Sequence, residues 1–293
     1  MAMAILSLAG VYFIAGKFGL SLAMEHPSAS TIWPPRGIAL AALLLWGDRV
    51  WPGVFLGAFL VNITTESDLA TALGIASGST LGALAGAWLM NRFANGYNVF
   101  ERARNIFKFV LLTAFISTAV SATFGVTSLT LRGYASWDRY GAIWVTWWLG
   151  DITGDLLVAP LLVIWLTQPY PNLKPRRIFE ALGLLLLILS LAHIVFLSGA
   201  ARALEYVLIL PLLWAAFRFG QRGAVTAAFL TSAIALAGTV QGIGPFATAG
   251  PSQALVHLQG FMGTIAMAAL VLAAVISERM RAEQRLEVQE AVS

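Results

Sequence analysis

Two aspartates, Asp151 and Asp155, stand four residues apart in the apolar stretch WWLGDITGDLLVAP (147–160). In a helix that spacing puts both carboxylates on one face. Such a pair can hold or pass a proton, bind a cation, or accept a ligand's donor groups. Acid–base catalysis would also need a substrate within reach. An acid at the centre of a membrane helix costs about 3 kcal/mol on insertion scales, so such residues usually face the bundle interior and mark a ligand, ion or proton site. The plainer reading is an interhelical ion pair that fixes packing. Arg36, in TIWPPRGIALAALLLWG (31–47), is a candidate partner at the start of a short helix, able to meet Asp151 or an anionic ligand. Two prolines at a helix start and a tryptophan at an interface are also ordinary structural features.

Other polar and aromatic residues fall at the same ends of their segments. Asn62, Thr64 and Glu66 close one stretch, QGIGPF (241–246) follows another, and His257 and Gln259 open the last. Trp144, Trp147 and Trp148 lie just before the two acids. Their convergence suggests a pocket opening outward; separate interface anchors are the alternative. The candidate ligand-binding set is Trp33, Arg36, Asn62, Trp147, Trp148, Asp151, Asp155, Gln241, Phe246 and His257. Asp151 is the expected ligand contact and Asp155 the expected interhelical lock. Arg36 and His257 are the expected partners. No catalytic or metal-binding residue and no cofactor is expected. The chain has no HExxH, GxSxG, phosphate-cradling glycine loop or metal-spaced histidine cluster.

The elements that must position these residues follow from composition. Of 293 residues, 59% are apolar and 11% charged, and the mean hydropathy is +0.80. Soluble proteins carry about 25% charged residues, so this chain lacks the charge to cover a water-exposed surface and reads as a multi-pass membrane protein. The absence of cysteine excludes disulfides and thiolate metal sites. The pI of 9.7 comes from arginines in short loops, a topology signal rather than a nucleic-acid patch. The first stretch lacks a basic leader and a clear cleavage site and is interrupted by Lys17, so it is expected to stay as a span.

Apolar stretches run over about 3–24, 36–47, 50–64, 69–91, 106–131, 140–167, 178–198, 204–219, 222–241 and 253–278. These predict an all-α bundle of about ten spans, with eight as the alternative. Four are short and paired across Gly47-Asp48-Arg49 and Gly220-Gln221-Arg222, as hairpins or re-entrant segments. With both termini cytoplasmic, the inner loops hold ten basic residues and the outer loops four: Arg36, Arg132, Arg139 and Arg202. In that orientation Asp151 lies roughly 16 Å below the outer end of its span and Asp155 roughly 6 Å deeper.

Three further patterns bear on function. LLLWGDRVWPGVFLGAFL (43–60) and AAFRFGQRGAVTAAFL (215–230) share an aromatic-Gly-x-Arg turn, a hint of internal repetition of the kind transporters use. Gly74, Gly78, Gly82 and Gly86 form a small-residue stripe, which suits close packing within the bundle or a homodimer face. The tail SERMRAEQRLEVQEAVS leaves the last span without a break. A membrane domain over 1–277 is therefore expected, with a cytoplasmic helical stub over 278–293 leading to a further domain.

Seven ordered pieces carry a resemblance: WPPRGIALAALLLWG (33–47), RVWPGVFLGAFLVN (49–62), WWLGDITGDLLVAPLL (147–162), PLLWAAFRFGQRGA (211–224), GTVQGIGPF (238–246), LQGFMG (258–263) and LAAVISER (272–279). Together they span nearly the whole chain and resemble the first-described type of the membrane-associated sensor (MASE) family of bacteria. The resemblance implies a sensory domain of the inner membrane placed before a cytoplasmic output module, such as a histidine kinase of a two-component system or a diguanylate cyclase of cyclic di-GMP signalling. It does not supply the ligand. Family members often carry Asn and Glu in the fourth span, where this chain has Ser79 and Gly82, so those polar groups are missing here. The expected function is a non-enzymatic, homodimeric sensor of a small ligand or proton, in contact with the lipid bilayer. A small-solute transporter, or the substrate-binding subunit of one, is the alternative.

Overall fold

In the computed structural model, which describes residues 1–26, 29–65, 67–169, 174–198, 204–247 and 251–292, almost every segment is helical. The exception is a short antiparallel ribbon of β1 (Ala23–His26) and β2 (Ala29–Ser30). The helices are α1 (Ala2–Ser21), α2 (Pro34–Trp46), α3 (Trp51–Ile63), α4 (Leu69–Phe93), α5 (Ala103–Phe109), α6 (Thr118–Leu131), α7 (Tyr140–Thr167), α8 (Pro175–Phe196), α9 (Ile209–Val240) and α10 (Pro251–Val292). A π-helical run, Val110–Ser117, joins α5 to α6.

Among the described residues, seven helical segments are long and apolar enough to cross a membrane: Ala2–Ser21, Leu69–Phe93, Ala103–Leu131, Trp137–Thr167, Pro175–Phe196, Glu205–Val240 and Gln253–Glu283. The apolar stretches gave ten. The difference lies in the two hairpins. Helices α2 and α3 have 13 residues each, about 20 Å, short of a hydrocarbon core of about 30 Å. Helix α9 is broken at Gly220, whose φ of 61° and ψ of −148° are not helical. A Cβ on Gly223 would lie 2.6 Å from the carbonyl of Ala215, eight residues back. In a straight helix those residues would be about 12 Å apart, so the chain folds back at Gly220.

Helix directions follow from packing. Gly53 faces Ile5 and Leu8, Gly57 faces Tyr12, and Gly16 faces Val61, so α1 and α3 run parallel. Helix α4 runs back from the end of α3 and finishes on the side where α1 begins. There Arg281 of α10 pairs with Glu101 at 2.9 Å, and Glu278 accepts from the Ala103 amide. The start of α1 and the exit of α10 therefore share a side. That side carries the loops rich in arginine and is the cytoplasmic one by charge bias. One expected outer residue changes place, and a second is not described. Arg36 is buried inside the bundle rather than in an outer loop, and Arg202, like Glu66, lies outside the described residues.

The glycine stripe has a definite use. Gly74 faces Ser128, Gly78 faces Phe124, Gly82 faces Ser117 and Ser121, and Gly86 faces Ser117 and Thr113. The stripe is filled by α6 and the π-helical run of the same chain, so it offers no dimer face. The close approach brings Ser117 and the Gly82 carbonyl to Arg36.

Candidate functional site

The residues TIWPP explain how a polar centre forms inside the bundle. After the ribbon, residues 31–33 run without helical structure, and α2 starts only at Pro34, with Trp33 packed on Gly16 and Gly19 of α1. Non-helical backbone at this depth needs internal partners, and it finds them. The Trp33 amide donates to the Gly150 carbonyl at 3.0 Å. The Thr31 carbonyl accepts from Gln259 Nε2 of α10 at 2.8 Å, and Ser30 Oγ donates to the Gly19 carbonyl at 2.6 Å. A helix start normally leaves four amide groups without partners. Pro34 and Pro35 have no N–H, so two of those groups are absent, and the Arg36 amide reaches the Trp33 carbonyl at 3.1 Å.

This start delivers Arg36 to the acids. Gly37 and Gly154 let α2 and α7 touch: a Cβ on Gly37 would lie 2.7 Å from Val158 Cβ, and one on Gly154 would meet the Trp33 carbonyl. Arg36 Nε then donates to Asp155 Oδ2 at 3.3 Å, and Nη2 donates to Ser117 Oγ at 2.5 Å and the Gly82 carbonyl at 3.1 Å. Arg36 is 2% exposed and Asp155 0%. The partner of Arg36 is thus Asp155, one turn deeper than Asp151.

Asp151 is left over. It is fully buried, and neither carboxylate oxygen has a hydrogen-bond partner among the described residues. It lines a cavity with Leu20, Ser30, Trp33, Asn62, Ile75, Ser79 and Trp147. The volume, about 10 Å³, is room for about one water molecule. The nearest charge balance is one guanidinium for two carboxylates. A buried ionised carboxylate with no counter-charge is costly, so Asp151 is the one group here whose charge the protein's own cations do not settle.

The cavity thus gathers Trp33, Asn62, Trp147 and Asp151 from the expected set, with Arg36 and Asp155 beneath it. Four expected residues lie elsewhere. Trp148 donates from Nε1 to the Phe115 carbonyl at 2.9 Å and stacks on Trp144. Gln241 is exposed at the end of α9. Phe246 packs between Phe196 and Phe261. His257 is exposed, and Gln259, two residues on and therefore on the opposite face of α10, is the residue that turns inward. Sequence reasoning missed Ser30, Ser79, Ile75 and Leu20. The one signal for Ser79 was its departure from the family pattern, yet it lines the cavity, and Gly82 contributes its carbonyl to Arg36. Among the described residues, no group of His, Asp and Glu is placed to hold a metal ion.

No curated protein and no solved structure matches the chain. A comparison with protein families matches residues 4–280 to MASE1, membrane-associated sensor 1. That match covers nearly the whole chain, and the seven apolar helices are those of a multi-pass inner-membrane protein. The chain belongs to the MASE1 family of membrane-integral sensory domains of signalling proteins.

Proposed function

We propose that the domain senses through Asp151, by uptake of a proton or of a small ligand that enters from outside and contacts this carboxylate. The observation that carries the reading is that one fully buried carboxylate makes no hydrogen bond among the described residues, in a cavity whose lining segment is tied to the exit helix by one hydrogen bond. The cavity in this state has room for about one water, which favours a proton or a water-sized species over a larger molecule.

The transmission follows from the same contacts. Neutralising or engaging Asp151 changes what Arg36 and the segment 30–33 experience. Gln259 ties that segment to α10 through the Thr31 carbonyl. A change in the segment therefore pulls on α10, which runs unbroken to Val292. In this reading α10 reorients a dimeric output module, a histidine kinase or a diguanylate cyclase. A stimulus acts only if it binds two states of the bundle with different affinity.

The test is a fusion of the chain to a diguanylate cyclase, with cyclic di-GMP read across external pH and ligand pools. Asp151→Asn is expected to lock output at one level, and Gln259→Leu to leave output insensitive to stimulus. Unchanged responses in both variants would remove the reading. Net solute flux in proteoliposomes would instead favour the transporter alternative.

A further inference from the structure

The cytoplasmic side of the bundle holds a second and larger recess, of about 630 Å³. That lies in the range of ligand sites, about 300–1,000 Å³. Its walls are apolar: Leu184 and Ile188 of α8, Ala216 and Leu230 on the two arms of α9, and Ile276 and Met280 of α10. The fold-back at Gly220 creates it, because the two arms diverge from that turn.

The rim is basic. Arg177, Arg218 and Arg222 line the recess, and among the described residues no acidic one does. Arg218 is held by Glu180, with Nε at 2.5 Å and Nη2 at 2.6 Å from its oxygens. Arg222 donates to the Gln168 carbonyl at 2.5 Å and lies over the Trp165 ring at 5.0 Å. Arg177 is exposed and has no ion pair among the described residues. Among the described residues Glu180 is the carboxylate beside both Arg177 and Arg218, so that side of the rim keeps a positive excess.

The dimensions match one leaflet. Arg177 sits in the first turn of α8, and Ile188 lies about 16 Å along the helix. Half of a hydrocarbon core is about 15 Å. Basic pockets between membrane helices on the cytoplasmic side bind anionic lipid headgroups. We infer that this recess binds an anionic phospholipid of the inner leaflet, with its phosphate at Arg177 and Arg222 and one acyl chain along Leu184, Ile188 and Leu230. Because Ile276 and Met280 form one wall, the bound lipid touches the exit helix. The inference stands on this geometry alone and does not depend on Asp151.

The test is native mass spectrometry of the full chain released from nanodiscs holding phosphatidylglycerol and phosphatidylcholine with identical acyl chains. The expected result is one retained phosphatidylglycerol, preferred about fivefold or more over phosphatidylcholine. Arg177→Gln should remove most of that preference. Ala227→Trp, which fills the recess without touching the charges, should abolish retention of either lipid there. Equal retention of both lipids, or retention unaffected by the two substitutions, would overturn the inference. So would displacement of the preference by inorganic phosphate, which assigns the rim to a soluble anion. A lipid-free dimer blocked by Ala227→Trp would assign the face to a second copy and also overturn it.

Discussion

Arg36 and Asp155 form an ion pair, Nε to Oδ2 3.3 Å, that is almost wholly withdrawn from solvent and joins the first turn of α2 to the middle of α7. Breaking a buried pair from one side costs about 3–5 kcal/mol, because the surviving charge stays buried. The two sides are not equivalent here. Loss of Arg36 strands two carboxylates, whereas loss of Asp155 leaves Arg36 with Asp151 one turn away. Arg36→Gln is therefore expected to lower the melting temperature in detergent more than Asp155→Asn does. Equal effects would show that Asp151 does not share Arg36.

Asp151→Asn should behave in the opposite way. The carboxylate makes no hydrogen bond among the described residues, and the amide has the same shape without the charge. Thermal stability is expected to stay level or rise. A marked loss in a thermofluor measurement would mean that a partner satisfies Asp151 in the membrane.

Gly37→Ala tests the contact between α2 and α7. The added carbon would fall 2.7 Å from Val158 Cβ, close to the backbone of Gly154. Overpacking of this kind costs about 1–3 kcal/mol, and here it would also shift Arg36 from Asp155. A full melting curve on purified protein should show the loss. Gly183→Ala, where nothing lies within 4 Å, should leave the curve unchanged.

A pH effect on stability is expected at the outer end of α4. Asp68 caps that helix by accepting from the Thr71 amide at 2.7 Å and pairs with Arg132. The Thr71 bonds first, and then Arg132, pull its carboxyl down to about 2. A carboxyl lowered in the folded state stabilises above its unfolded value, near 4, and loses that contribution as pH falls through the folded value. The stability gap between wild type and Asp68→Asn should hold at neutral pH and close between about pH 4 and pH 2. A gap independent of pH would show that the cap acts without its charge.

Much of this architecture was legible from residue order. Apolar runs marked the long helices, and the basic residues at 92–108 and 174–177 marked one side. Gly47 and Gly220 marked the hairpins. The site was legible only in its acids and in Arg36. Which acid Arg36 meets depends on how far residues 30–33 descend before α2 begins, and no periodicity encodes that depth. The choice between His257 and Gln259 depends on the rotation of α10. That helix is apolar on most of its circumference within the membrane, so its sequence gives no phase. Ser79 was hidden because its role comes from close approach through neighbouring glycines rather than from its own chemistry.

Helix α10 has one more consequence. It is 42 residues long, and beyond Gly263 it contains neither glycine nor proline, the usual sites of a kink. From Gln259 to its far end is about 50 Å. Its middle, around Met262 to Ala274, is clamped in the core and acts as a fulcrum. A tilt of about 5°, set by a single hydrogen bond near the outer end, would swing the cytoplasmic tip by a few ångströms. The domain is thus geared like a lever, in which a displacement no wider than a water molecule at one end becomes a movement of a few ångströms at the other.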